Sequence, residues 1–387
     1  MKGAPIGLLV SLCLLRITSA LPARTDECLG LGRGGWGYID RFGNVVVQPR
    51  FEWAERFADG LARVDVGKKW GYIDKSGRQV IPVQFEEAED FSEGVAAVKV
   101  NGKWGYSDKS GKMVIAPTFE TASTFSEGLA RVEIATAWGY INNRGKFVVR
   151  PQFTLAYDFS EGLAPVLVCR GWSAEGAASV SQSEGCAWGF INKECELVIQ
   201  AKFRQARPFS EGLAAVWDGR NWGFIDKAGN VVIPLQFDCN EIGRFRKGLA
   251  LVRAAGGVDA AVILHEGRIL ASSGYIDRSG KWVIRSRLHY WFEDDFSDGL
   301  VRVATSPKKT KNCGYEWRYG FFDWSRKLSV RPRFDYAGSF CEGLAAARVD
   351  QRCGYIDKRG RFVINLKFAW CGDFSEGFAP VRVVTTK

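Results

Sequence analysis

Carboxylate side chains recur at one position of the sequence, each directly before a glycine. The eight are Asp59, Glu93, Glu127, Glu161, Glu211, Asp298, Glu342 and Glu376, and Lys247 takes the position once. Two carboxylates at a suitable separation can hydrolyse a glycosidic bond. Eight copies at one equivalent position instead predict a structural role, in which each side chain bonds turn amides or pairs with lysine and arginine.

One acidic cluster, Glu293, Asp294 and Asp295, lies outside that position. It keeps a glycan-active hydrolase with paired carboxylates as the alternative function, because this mechanism needs histidine least. The cluster has the composition of a turn. We therefore expect no catalytic residues and no enzymatic activity.

The chain has few residues that could bind a metal ion or a cofactor. The only histidines are His265 and His289, and no two cysteines have the C-x-x-C spacing typical of zinc sites. The segment from Gly30 to Gly35 matches the glycine pattern of a dinucleotide loop, but a predicted strand at Trp36 follows it where a helix would be needed. We predict no metal site and no cofactor.

Two cysteines, Cys169 and Cys186, bracket a segment rich in glycine, serine and alanine. A disulfide between them would tie down a loop that has no core of its own. Equally, they could be two small buried residues at strand ends. Both interpretations remain open from the sequence.

The first 20 residues have the features of a secretory signal: Lys2, an apolar run from Ile6 to Leu15, and small residues ending at Ala20. The apolar run is too short to cross a bilayer, so we expect no stable membrane span. We expect export to the periplasm, the cell surface or the extracellular space. Cleavage would remove Lys2 and Arg16 and change the net charge from +10 to +8.

The rest of the chain is a repeated unit. Trp36-Gly-Tyr-Ile-Asp recurs nine times in recognisable form, and five of the eight intervals between copies are 34 residues. The other three intervals are longer, which predicts insertions at 169–187, 254–272 and 305–318. We therefore divide the chain into a signal peptide (1–20), a leader with a partial capping strand (21–35) and nine repeats (36–387).

Each unit predicts three short antiparallel strands. In the second copy, Trp70 begins one strand, an Asx-type turn at Asp74 leads to a second, and Gly94 begins a third. The linker from Phe85 to Glu93 has the spacing of a single helical turn. One such unit cannot bury its aromatic face alone, so neighbouring units must stack.

Three motifs in fixed order, Trp-Gly-Tyr-Ile-Asp-Lys-x-Gly, Val-Ile-x-Pro-x-Phe and Phe-Ser-Glu-Gly-Leu-Ala, closely resemble the WG-containing (KWG) repeat family. The resemblance covers residues 36 to 383. It implies a repeat architecture, and it brings no assigned activity and no catalytic residues.

The fold class that these observations predict is all-β, a tandem array of about nine three-stranded β-meander repeats. We favour an open, solenoid-like stack, because three strands per unit and irregular insertions suit it better. A propeller-like closed ring is the alternative, since radial repetition also hides strand edges.

The predicted function is that of an exported, non-catalytic scaffold that binds a protein or an anionic cell-envelope polymer, because the chain is basic and repeats build long surfaces. We expect no nucleic-acid partner. We expect the insertions to cluster on one side and to carry the contacts with the ligand. Candidate exposed aromatic platforms are the tryptophans outside the repeat motifs, Trp172, Trp217, Trp282, Trp291 and Trp317.

Overall fold

Nine small antiparallel sheets, arranged in a ring, build this protein in a computed structural model. The structure describes residues 35–169, 185–254, 264–265, 268–269, 274–285, 290–292, 296–305, 308–309, 315–323 and 327–383. Every regular element in this part of the chain is a strand, and the sheets are the blades of a nine-bladed β-propeller.

The strands of the first half of the chain are β1 (Trp36–Asp40), β2 (Val45–Phe51), β3 (Trp53–Ala58), β4 (Leu61–Val66), β5 (Lys69–Ile73), β6 (Gln79–Phe85), β7 (Glu87–Ala88), β8 (Val95–Val100), β9 (Lys103–Asp108), β10 (Met113–Phe119), β11 (Thr121–Ala122), β12 (Leu129–Ile134), β13 (Ala137–Asn142), β14 (Phe147–Phe153), β15 (Ala164–Val168), β16 (Ala187–Ile191) and β17 (Leu197–Phe203). Those of the second half are β18 (Gln205–Ala206), β19 (Ala214–Trp217), β20 (Trp222–Ile225), β21 (Val231–Phe237), β22 (Cys239–Ile242), β23 (Leu249–Ala254), β24 (Leu264–His265), β25 (Arg268–Ile269), β26 (Gly274–Asp277), β27 (Trp282–Arg285), β28 (Tyr290–Phe292), β29 (Leu300–Thr305), β30 (Lys308–Lys309), β31 (Tyr315–Glu316), β32 (Tyr319–Asp323), β33 (Leu328–Phe334), β34 (Tyr336–Ala337), β35 (Ala345–Val349), β36 (Arg352–Ile356), β37 (Phe362–Phe368), β38 (Trp370–Cys371) and β39 (Phe378–Arg382).

Most blades contain four strands, which we name A to D in chain order. Blade 1 is β3-β4-β5-β6, blade 2 is β7-β8-β9-β10, and the pattern continues around the ring to blade 8, β34-β35-β36-β37. Strand A is mostly very short, and in blade 4 it is reduced to the single bridge between Ala156 and Val166. The predicted helical turn between Phe85 and Glu93 is therefore wrong, because Glu87–Ala88 pairs with Lys99 and Val98 as strand A of blade 2.

Blade 9 joins the two ends of the array. Its A and B strands are β38 and β39, and its C and D strands are β1 and β2, with Trp36 opposite Arg382 and Asp40 opposite Phe378. The all-β repeat array is thereby confirmed, but the open stack we favoured is wrong and the alternative, the closed ring, is observed. The three-stranded unit gains a fourth strand because the residues that follow the phenylalanine at the end of strand D, as after Phe85, form the edge strand of the next sheet.

The glycine of each Trp-Gly motif allows strand D to cross closely over strand C. A Cβ atom on Gly139 would lie 2.6 Å from both the Pro151 nitrogen and the Val149 carbonyl oxygen. Real Cβ atoms do not approach backbone this closely, so no other residue fits without moving strand D. This close approach explains why glycine follows tryptophan in the repeat.

The core lies between blades. In the repeat of Tyr72, the ring is 1% exposed, packs edge-on against Phe91 of the next blade and donates its hydroxyl to the Glu89 carbonyl oxygen at 2.7 Å. The tyrosines that make the same bond to the next blade are Tyr38, Tyr72, Tyr106, Tyr140 and Tyr355. Each large buried side chain contributes about 1.5–3 kcal/mol, so every junction stabilises both of its blades.

The D strands form the outer rim. They carry most of the exposed valines, among them Val148, Val231 and Val363, and most contain a proline that withholds one ladder donor. Proline on an edge strand protects it from pairing with another chain. Strand A, at the opposite edge of each sheet, therefore lies toward the ring axis.

Candidate binding surface

The ring has two faces that the connections of each blade define. The A–B and C–D turns lie on one face, which we call the motif face because it carries the Phe-x-x-Gly and Asp-x-x-Gly sequences. The B–C turns and the D–A connections lie on the other, which we call the insertion face. Since strands of an antiparallel meander alternate in direction, each kind of turn falls on the same face in every blade.

All three insertions interrupt a B–C turn. They leave from the ends of β15, β23 and β29 and return at β16, β26 and β32, in blades 4, 6 and 7. The anchors of the insertions thus lie on one face, as predicted from the sequence. Two two-stranded ribbons, β24-β25 and β30-β31, belong to the second and third insertions.

Two disulfides join cysteines in the part of the chain that the structure describes. Cys169 and Cys186, the pair that brackets the first insertion, are joined at its base with an S–S distance of 2.01 Å. Cys353 and Cys371 join strand C of blade 8 to strand A of blade 9. Cys353 stands where most repeats have the motif tryptophan, so the blade 8–9 junction has a covalent tie in place of one indole.

A run of aromatic and arginine side chains follows the insertion face from blade 7 to blade 1. The Arg302 guanidinium lies over Tyr319 and Tyr336, at 5.8 Å from each ring centroid. The Arg348 guanidinium lies over Tyr336 at 5.9 Å and over Trp370 at 4.8 Å. Cation–π contacts of this length are attractive, so rings and guanidinium groups hold one another in place.

The run continues across the junction that closes the ring. Trp370 packs against the cluster that contains Trp36 and Trp53, whose ring centroids are 5.0 Å apart. We call Tyr319, Tyr336, Arg348, Trp370 and Trp53 the aromatic arc. These side chains are half-buried, so the arc is partly accessible on the insertion face.

The first position of strand A is aromatic in the blades along this run. It is Tyr290, Trp53, Tyr336 and Trp370 in blades 7, 1, 8 and 9, whereas blades 2, 3 and 5 have Glu87, Thr121 and Gln205. Sequence reasoning missed the arc because it did not predict strand A. The available signal was the twelve-residue spacing between strand A and its cross-strand partner in strand B, which Tyr336 and Arg348 share with Glu87 and Lys99.

The recurring carboxylates lie on the motif face and have the structural role predicted for them. Each accepts a hydrogen bond from the glycine N–H of the next blade, as Asp59 does from Gly94 at 3.1 Å. Lys109 of that next blade also pairs with Asp59 at 3.0 Å. The same acceptor role falls to Glu93, Glu127, Glu161, Glu211, Asp298, Glu342 and Glu376.

Other predicted candidates lie elsewhere. Trp217 stacks on Trp222 and Trp282 packs against Phe237, so neither is a free platform, while Trp317 is half-buried within the third insertion. Trp172, Glu293, Asp294, Asp295 and His289 lie outside the described residues, as do the side chains of His265 and Trp291.

Two further features were searched for in the part of the chain that the structure describes. No three His, Cys, Asp or Glu side chains there come together as a group that could hold a metal ion. Nor does that part contain a helix long and apolar enough to cross a bilayer.

Similarity to solved structures supports the ring. A eukaryotic initiation factor structure is similar with a TM-score of 0.56 and 10% identity, covering 86% of this chain and 95% of that chain. Two others have lower scores: Hsv2p of Kluyveromyces lactis (TM-score 0.37, 9% identity, 70% and 97% covered) and the WD40 domain of SCAP from fission yeast (0.34, 7%, 87% and 95%). The first similarity is one of fold alone.

The sequence itself matches one family along almost its whole repeat region. No curated protein sequence matches the chain. The family described as WG containing repeat matches at 36–70, 70–104, 104–135, 138–168, 188–216, 222–256, 274–304, 319–353 and 354–383. The chain therefore belongs to the WG containing repeat family.

Proposed function

We propose that this protein is an exported, non-catalytic scaffold that binds a protein partner through its insertion face. The observation that carries the proposal is the common placement of all three insertion anchors on the face that also carries the aromatic arc. Loops on a rigid scaffold are where binding residues concentrate, because the regular positions are occupied by packing.

A protein partner is favoured over an anionic envelope polymer by the composition of the arc. Tryptophan, tyrosine and arginine are the residues most enriched at the energetic centres of protein interfaces. The rings of Tyr336 and Trp370 already lie against Arg348, which leaves less open ring face for stacking on a sugar.

Export is supported by the disulfides Cys169–Cys186 and Cys353–Cys371, because such bonds persist mainly in oxidising compartments. It also agrees with the signal-like character of residues 1–20. A non-catalytic role is supported by the recurring carboxylates, whose oxygens accept hydrogen bonds from backbone amides of the next blade and, as at Asp59, also pair with a lysine. The glycan hydrolase stays the alternative and predicts turnover of a glycan by the purified chain.

The test is capture of proteins from the exported fraction of the source cells by the immobilised chain. A variant with residues 170–184, 255–272 and 306–314 replaced by short glycine-serine links should fold and lose the captured partner. A control with Lys112→Glu and Arg144→Glu on the motif face should keep it. Both variants should first be shown to melt cooperatively. If the trimmed variant still captures the same partner, the proposal is contradicted.

A further inference from the structure

Arg348 is a half-buried cation on the insertion face that no acidic group of the described chain neutralises. Its guanidinium lies over the rings of Tyr336 and Trp370, and it makes no ion pair with a carboxylate of the described residues. Burial lowers the pKa of Arg348, because keeping this charge partly out of water costs the folded chain free energy.

The same register position is neutralised in two other blades. Lys99 lies opposite Glu87 and bonds its carboxylate at 2.6 Å, and Arg253 bonds Glu241, its partner in the neighbouring strand, at 2.5 Å. In blade 8 the residue opposite Arg348 is Tyr336. Blade 8 therefore has a cation at this position, as blades 2 and 6 do, but an aromatic ring where those blades have an acid.

Arg348 is the donor that a ligand on the insertion face can reach. The neighbouring Trp370 Nε1–H makes no hydrogen bond within the described residues, but it is fully buried and closed to a ligand. The nearby carboxylate of Asp335 is engaged elsewhere, by Arg318 and by the backbone N–H of Asp350 at 2.8 Å.

We infer that Arg348 binds a carboxylate of an acidic polypeptide segment on the partner. This inference rests on the proposed function and names the chemistry that its site recognises. A carboxylate accepts charge-assisted hydrogen bonds from the guanidinium and restores the neutrality that Glu87 gives Lys99. Tyr336 and Trp370 supply apolar contact on either side, which is the composition of an interface hot spot.

The probe is a fluorescein-labelled oligo-glutamate, titrated into the full chain and followed by fluorescence anisotropy, with an oligogalacturonate of equal charge as the glycan probe. Arg348→Gln should weaken oligo-glutamate binding at least about tenfold, because the charge-assisted hydrogen bonds of the guanidinium are lost. Arg359→Gln removes an exposed cation from the motif face of the same blade and should change the affinity less than about twofold.

Equal losses in Arg348→Gln and Arg359→Gln would overturn the inference, because they would indicate a general basic surface. If oligogalacturonate binds more tightly than oligo-glutamate, and Arg348→Gln weakens that binding, the assignment to a polypeptide is overturned. The two proposals fail separately. If the trimmed chain loses its captured partner but Arg348→Gln retains it, this inference alone fails; if no protein is captured at all, the proposed function fails.

Discussion

Glu376 of the last repeat accepts a hydrogen bond at 3.2 Å from the backbone N–H of Gly60, 316 residues earlier in the sequence. The same carboxylate pairs with Lys75 at 3.0 Å. The contact repeats, across the closure of the ring, the one that Asp59 makes with Gly94 inside the array. Closure therefore uses the repeat's own junction chemistry rather than a special device.

Loss of this carboxylate should weaken ring closure. We expect Glu376→Gln to lower the free energy of unfolding by about 1 kcal/mol at pH 7, because one charge-assisted bond and one partly exposed ion pair are lost. Urea unfolding followed by tryptophan fluorescence measures it. Glu194→Gln, an exposed acid of the Asn192 turn, is the control and should change stability less than half as much.

The effect of Glu376→Gln should also depend on pH. Burial alone would raise the pKa of Glu376, but hydrogen bonds from Lys75 and Gly60 hold that pKa below its usual value. A lowered folded-state pKa stabilises the protein above the ordinary glutamate pKa of about 4.3, and the contribution disappears as pH falls through the folded-state pKa. Wild type and Glu376→Gln should therefore converge in stability toward pH 3; a difference that persists there would contradict the role of the charge.

Gly139→Ala should be among the most damaging single substitutions. Its Cβ would meet the Val149 oxygen and Pro151 nitrogen at 2.6 Å, so strand D must move, at a cost of about 2–4 kcal/mol. Gly128→Ala is the control, because nothing lies within 4 Å of its Cβ and only its positive φ of 81° is strained. We expect about 1 kcal/mol there, and equal effects in thermal melts would refute the close-approach explanation.

Arg348 should contribute little to folding, unlike Arg63. Arg63 bonds Asp90 at 2.8 Å and the Ala88 carbonyl of the next blade, so Arg63→Met should cost about 2 kcal/mol or more. Arg348→Met removes a desolvated charge without an acidic partner and should leave stability within about 0.5 kcal/mol of wild type or raise it. A large loss would mean that Arg348 is a structural residue.

Free thiols should react slowly in the folded chain. Burial raises the pKa of Cys239 to about 12 and that of Cys341 to about 11. At pH 8 the thiolate of Cys341 is then about a hundredfold rarer than that of an unperturbed cysteine. Iodoacetamide labelling followed by peptide mass analysis should modify both far faster after unfolding, and rapid labelling of the native chain would contradict the burial.

The repeat could be predicted from the sequence, but the ring could not. The motif spacing gives strands B, C and D, because each has several β-branched or aromatic residues and a turn signal. Strand A could not be predicted in this way, because a strand such as Glu87–Ala88 is two residues long and has no periodicity. Without strand A there is no inner edge, and the pairing of Trp36 with Arg382 depends on the angle between blades, which no local pattern specifies.

The candidate site was harder to predict for a related reason. Arg348, Tyr336 and Trp370 become neighbours only through the register of strand A and the packing of blade 8 against blade 9. Insertions are visible in the sequence because they break the period, so their side of the ring could be anticipated. Tyr336 occupies the position in blade 8 that Glu87 occupies in blade 2. This difference leaves the repeat period unchanged, so the sequence pattern does not reveal it.

Site-directed photo-crosslinking in the source cells tests the central claim most directly. p-Benzoylphenylalanine is placed at Gln351, an exposed turn residue of blade 8 on the insertion face, and at Arg359, exposed on the motif face of the same blade. We predict a discrete protein adduct from Gln351 that is lost when Arg348→Gln is added, and none from Arg359. An adduct from Arg359 alone, or one from Gln351 that is unchanged by Arg348→Gln, would contradict the proposed binding surface.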